Sequence, residues 1–292
     1  MLNVSRRERL LYLVGFPFGH CAVDWTGSAL FILAPAIAIS LDLSPAQIGL
    51  LFTAKAVGEG IVYLPAGLLG ERMRRRGVFL LGTLWWVVVG FLAASIAEGY
   101  WLLILLIAVA SAGSAAWHPV AMGTLVQRMP ERRALVLASH LVGGILGGVL
   151  APLTAGFLLE RGMEWRAVLQ ISILPAVVGG LLYLKLAWSI NIPTTDFATR
   201  FPLAHILRAW VKPAGVSALL VLIFCGIGSL ALYSMLPLYL EQERGFSPGL
   251  AGVAFACVLL LGASLSPILG HVSDRIGRKL LSALALIASG IF

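Results

Sequence analysis

The sequence predicts an all-α, polytopic membrane helical bundle, and three observations predict it. Of its 292 residues 60% are hydrophobic and 12% charged, with a mean hydropathy of +0.96. The apolar residues gather into eight stretches of about 20 or more, the length that crosses a hydrocarbon core of roughly 30 Å. The basic residues fall on alternate connections between those stretches. Soluble domains carry about 25% charged residues, so a chain with half that share must set most of its surface against something other than water. A soluble globular protein is excluded, and the net charge of +8 does not imply nucleic-acid binding when the basic residues sit at span ends.

The spans follow in order near residues 11–40, 46–69, 78–97, 101–127, 134–159, 167–187, 214–239 and 248–270. Arg6, Arg7 and Arg9 precede the first, and Asp24 together with the length of the run argues against a cleaved signal there. Arg72, Arg74, Arg75 and Arg76 follow the second span, and Arg128, Arg132 and Arg133 the fourth. Lys185, Arg200, Arg208 and Lys212 surround the sixth-to-seventh connection, and Arg275, Arg278 and Lys279 follow the eighth. Only Arg161, Arg166 and Arg244 lie on the other side, with Lys55 inside a span. The positive-inside rule then places the amino terminus in the cytoplasm and the chain in the inner (plasma) membrane. Residues 188–213, with Pro193, Pro202 and Pro213, read as a cytoplasmic linker, and His205 is placed in a loop without a role. It divides 1–187, a six-helix half, from 214–292. A ninth run starts at Leu280 and is too short to cross, so the chain is expected to be part of a longer protein. Cys21, Cys225 and Cys257 all lie in apolar runs as small hydrophobes, with no disulfide or metal site implied.

A shift of 203 positions lays Ser44-Pro45 and Gly49 onto Ser247-Pro248 and Gly252, then Gly67 onto Gly270, Glu71 onto Asp274 and Arg72 onto Arg275 without a gap. Ser suits a helix N-cap and Pro the first helical position, so both copies open a span the same way. Six spans separate the copies, which gives them one orientation and makes this a parallel repeat of six-helix units.

The run Gly270-His271-Val272-Ser273-Asp274-Arg275-Ile276-Gly277-Arg278-Lys279 resembles the loop signature of the major facilitator superfamily. The first copy, Gly67 to Arg76, keeps the Gly, an acid (Glu71) and Arg72 but has Arg74 in place of the inner Gly. The resemblance implies a facilitator-type bundle with a six-helix amino-terminal half and part of the second half. It also implies that Gly67, Glu71, Arg72, Gly270, Asp274, Arg275, Gly277 and Arg278 form gating loops. Over roughly residues 15–160, Gly19-His20 with Asp24, Gly113-Ser114-Ala115-Ala116-Trp117-His118-Pro119 and a glycine-rich fifth span are similar to the fosmidomycin-resistance branch. That likeness implies a proton-coupled exporter of a drug or metabolite.

Asp24, Lys55 and Glu59 fall near the middle of their spans, where each charge costs on the order of 2.5–3.5 kcal/mol, so they are expected to face a wet cavity, to pair, or to change protonation. Lys55 and Glu59 are four apart and share a helix face; they form either a structural ion pair or a binding surface for an anionic group. Their counterparts in the repeat, Val258 and Gly262, carry no charge. His20 and Asp24 are also four apart, and the expectation is proton coupling by Asp24 with His20 and Glu59, against a helix-packing contact as the plainer reading. His118, before Pro119, either lines the path or bonds between helices. His140 carries less signal. Trp25 and Trp117 stack on a substrate or simply pack, whereas Trp101, Trp165, Trp188 and Trp210 suit the membrane interface. Gly143, Gly144, Gly147, Gly148 and Pro152 have the spacing of close helix packing.

The expected function is secondary transport by alternating access: proton-coupled export of a small amphiphilic compound or drug. The alternatives are an organic-anion uptake symporter and a non-transporting membrane sensor or assembly subunit. No enzyme constellation occurs, neither cofactor nor metal is expected, and the proton gradient is the energy source. The expected partners are a small-molecule substrate and the lipid bilayer, without nucleic acid, and the full-length protein is expected to be monomeric.

Overall fold

The computed structural model describes residues 6–191 and 203–291. Among them there are helices and no strand, and eight helices are long and apolar enough to cross a membrane. These spans are Glu8–Ser40, Pro45–Arg72, Arg76–Ser95, Tyr100–Arg128, Pro130–Glu160, Trp165–Ser189, Pro213–Glu243 and Pro248–Ile276. Most run past the apolar stretches, because a helix once nucleated continues into its polar ends until a cap stops it. A helix, Leu203–Trp210, takes in His205 where a loop was expected. Pro193, Arg200 and Pro202 lie outside the described residues. A further helix, Arg278–Ile291, follows the eighth span.

The repeat is visible in the caps. Ser44 and Ser247 are both extended, and each side-chain oxygen accepts from the backbone N–H three residues on, Gln47 in one copy and Leu250 in the other. Proline follows each. Gln47 reaches back to the Ser44 N–H and completes a capping box in the first copy. Gly277, at φ +93°, ends the eighth span in a conformation that suits glycine.

The first span lies at the centre of the bundle. It packs on the fifth and sixth, the second packs on the fourth, and the third on the fourth and sixth. The fifth span uses two glycine faces. A Cβ at Gly143 would strike the Pro17 carbonyl, one at Gly147 would come within 2.8 Å of the Cys21 carbonyl, and one at Gly144 within 2.5 Å of the His20 ring. The other face meets the eighth span, where Gly148 touches Leu259, Gly156 the Pro248 carbonyl, and Pro152 the bare face of Gly252. The sequence spacing therefore marks two interfaces, one between the fifth span and the first and one between the fifth span and the eighth.

The arginine-rich helix ends gather on one side of the bundle, the basic face. The seventh and eighth spans meet the other six near the opposite face. Their buried residues are Ser234, Pro237 and Leu238 in one and Ala251, Gly252, Phe255 and Ala256 in the other. At that end Phe31 stacks on Phe52 (4.8 Å between ring centres, 4° between planes) and on Phe255 (5.4 Å), and Tyr233 closes the cluster edge-on.

Backbone cannot yield to an added methyl as a flexible side chain can. Gly143→Ala is therefore expected to destabilise by about 1–3 kcal/mol, the usual cost of overpacking. Gly82→Ala, with nothing within 4 Å of its Cβ, should be neutral or gain up to about 1 kcal/mol of helix propensity. Thermal unfolding in detergent compares the two.

Candidate functional site

A cavity of about 190 Å³ opens among the first four spans. Asp24, Gly27, Ser28 and Phe31 from the first span line it, with Lys55, Glu59 and Tyr63 from the second. Phe91 of the third and Ser111, Ser114, Ala115 and His118 of the fourth complete the wall. The three intramembrane charges expected from the sequence thus share one hollow. Each reaches it by helix spacing: Asp24 and Phe31 lie two turns apart, Lys55, Glu59 and Tyr63 successive turns apart, and Ser111, Ser114 and His118 on one stripe.

Asp24 is held from several sides. Ser114 Oγ donates to Oδ1 at 2.7 Å, His118 Nε2 lies 3.3 Å from the same oxygen, and His20 Nε2 lies 3.0 Å from Oδ2. His20 is buried, and its Nδ1 sits 2.7 Å from the backbone carbonyl of His140. The His140 ring, 3% exposed, stacks on His20 at 4.2 Å. Neither of its ring nitrogens makes a hydrogen bond, although the Phe16 backbone approaches it. His118 stands edge-on to His20 at 4.8 Å and stacks on Tyr63 at 6.1 Å. Four rings therefore run from the cavity wall into the bundle.

Lys55 and Glu59 pair at 2.5 Å, with Lys55 above the Phe31 ring at 5.9 Å. Glu59 is joined to Lys55, as the (i, i+4) spacing predicts, and lines the same cavity as Asp24.

The two tryptophans assigned to substrate do not line the cavity. Trp117, 0% exposed, is wedged among Phe16, Tyr183 and the bare face of Gly19, and Trp25 packs on the hydrophobic core. Each neighbours a cavity residue in sequence, but consecutive helix positions point about 100° apart, so adjacency misled. Ser114 and His140 received no role from the sequence. The (i, i+4) relation of Ser114 to His118 signals the first. The second is reached through a backbone carbonyl, which side-chain spacing does not report.

At the basic face Glu71 pairs with Arg76 at 3.1 Å and accepts from Gln127 of the fourth span. Arg76, 1% exposed, also donates from Nε to the Gly70 carbonyl at 2.8 Å. Arg72, the expected cation, is exposed. A helix end projects its last residues outward, whereas Arg76 at the head of the third span turns back into the bundle. Gly67 faces Pro119, with 3.5 Å between a Cβ there and the proline ring. In the second copy Gly270, Asp274, Arg275, Gly277 and Arg278 are all exposed.

Residues 18–292 match the family model described as Major Facilitator Superfamily. A protein of Haemophilus influenzae named for metabolite transport is 27% identical over 280 residues, 91% of this chain and 68% of that protein. A Helicobacter pylori protein named a probable sugar efflux transporter is 27% identical over 253 residues, 84% of this chain and 61% of that one. The fold also matches a solved bacterial homologue of the human lysosomal transporter Spinster in an inward-facing, unoccupied conformation. There the TM-score is 0.77 at 19% identity, over 94% of this chain and 64% of that one. The chain thus spans about two thirds of the length of the proteins it matches.

Arg76 is almost wholly buried, so removing the Glu71 carboxylate takes the adjacent opposite charge from a cation shut away from water. Glu71→Leu is expected to cost about 3–5 kcal/mol, and adding Arg76→Met to recover most of it. A double-mutant cycle on thermal stability measures the coupling.

Proposed function

The chain belongs to the major facilitator superfamily, and from that premise we propose that it serves a secondary transporter working by alternating access, in which a proton held at Asp24 drives export of a small amphiphilic compound. One observation carries the proton part. His20 Nδ1 lies against a carbonyl, which only accepts, so Nδ1 bears hydrogen. In the neutral ring Nε2 would then present a lone pair to the Asp24 carboxylate 3.0 Å away. The opposite tautomer would set a lone pair against the carbonyl. No neutral tautomer satisfies both contacts, so the His20–Asp24 pair holds one proton beyond a carboxylate and a neutral imidazole.

Asp24, one of the two groups that hold that proton, lines the cavity. Release or capture of the proton changes the charge of the wall by one unit. A pH difference of one unit across the membrane supplies about 1.4 kcal/mol per proton, and 100 mV adds about 2.3 kcal/mol per charge moved. The energy source is the gradient alone, with no cofactor.

The Phe31, Phe52, Tyr233 and Phe255 cluster joins the first two spans to the seventh and eighth near the opposite face, and on this reading the basic face is the open side. The positive-inside rule puts that face in the cytoplasm and the protein in the inner membrane. Alternation requires this aromatic contact to part while the basic face closes. Export is favoured by the glycine-rich fifth span and by the name of the Helicobacter pylori relative.

In proteoliposomes with an imposed pH gradient, gradient-driven accumulation of an amphiphile chosen from a drug panel should fall at least tenfold in Asp24→Asn, to the level of equilibrium exchange. Accumulation that still follows the gradient in this variant sinks the proposal.

A further inference from the structure

We infer that the cavity selects a zwitterionic ligand, one whose anionic group takes Lys55 and whose cationic group takes Glu59; the inference rests on the transporter reading of the same cavity. The charges available to a ligand decide the matter. Both oxygens of Asp24 are already engaged, by Ser114, His118 and His20. His118, also on the wall, is turned to Asp24, so among the described residues the charges left for a ligand are Lys55 and Glu59, one turn apart and turned toward each other.

The two lie in a partly open hollow, with only 12% and 27% of their side chains exposed, so a ligand that opens the pair has to supply an opposite charge to each half. Either charge left alone in the membrane interior is costly. A singly charged ligand would take one partner and strand the other, and a neutral ligand would leave the pair closed and add little. A ligand with both charges opens the pair and compensates each half, so the net charge of the cavity stays constant.

Two further features point to an occupant. Ser111 Oγ lines the cavity, is almost wholly buried and has no hydrogen-bond partner. Such a group is rarely left unsatisfied unless something else supplies the bond. Around it stand Phe31, Phe91 and Tyr63, an aromatic wall suited to a flat or apolar body. The ligand class is therefore a compact ammonium and carboxylate, or ammonium and phosphate, attached to an apolar group.

Four probes with one aromatic body separate the charges: L-phenylalanine (zwitterion), L-phenylalaninamide (cation), N-acetyl-L-phenylalanine (anion) and N-acetyl-L-phenylalaninamide (neutral). Titrated calorimetrically into the purified protein, phenylalanine should bind at least tenfold more tightly than the other three. Lys55→Gln should move the preference to the cation and Glu59→Gln to the anion. The exchange Lys55→Glu with Glu59→Lys keeps a pair and should restore the zwitterion, which guards against variants that merely misfold. One rank order shared by all the folded proteins, or a neutral probe that binds as well as phenylalanine, overturns the inference. Repeating the titration in nanodiscs with and without phosphatidylethanolamine separates the two sources of such a ligand. Unchanged binding assigns a free solute, and competition by the lipid assigns its headgroup. The readout needs no flux: charge-selective binding without transport would sink the transport reading alone, and transport without charge selectivity would sink this inference alone.

Discussion

A carboxylate in the interior of a bilayer has to be satisfied by its own protein, and Asp24 is the group whose satisfaction organises this bundle. At about 2.5–3.5 kcal/mol for an unpartnered charge, its position would be a liability on a lone helix. Here the fourth span supplies Ser114 and His118, and the first span supplies His20. The fifth span orients His20 through a backbone carbonyl. That last contact requires the fifth helix to come unusually close. Gly143, Gly144 and Gly147 permit it, since a side chain at any of them would meet the first span before the carbonyl of His140 could arrive. Packing and chemistry are thus one arrangement: the small residues exist where the polar cluster needs the helices to touch.

The same logic separates the two ends of the molecule. At the opposite face the first two spans meet the seventh and eighth through stacked rings, which associate without charge. At the basic face the second-to-third connection is tied down by a buried arginine that bonds a carboxylate and a carbonyl together. Under the alternating access proposed above, the aromatic end is the contact that has to part.

Much of this was legible in the sequence, for physical reasons that also mark where legibility stopped. The spans, the Ser-Pro starts and the repeat are local or compositional, and they appear in place with their caps formed. The His20–Asp24 and Lys55–Glu59 pairs were legible because (i, i+4) spacing is a contact rule within one helix. Contacts between helices follow no such rule. Nothing in the spacing says that Arg76 and not Arg72 meets Glu71, or that Trp117 points into the core. The likeness to the fosmidomycin-resistance branch rests on strings that the structure puts to use, His20, Asp24, Ser114 and His118 together with Gly144. The relatives described above carry other names, so it is the superfamily and not the branch that the comparisons establish.

The central claim is the extra proton between His20 and Asp24, and nitrogen-15 solid-state NMR of histidine-labelled protein in lipid addresses it directly, with His20→Gln to assign the signal. The account predicts that His20 Nδ1 is protonated near neutral pH, and that a second proton is shared by Nε2 and the Asp24 carboxyl. A neutral His20 ring with a bare Nδ1, unchanged across the pH range in which the protein is folded, would contradict it.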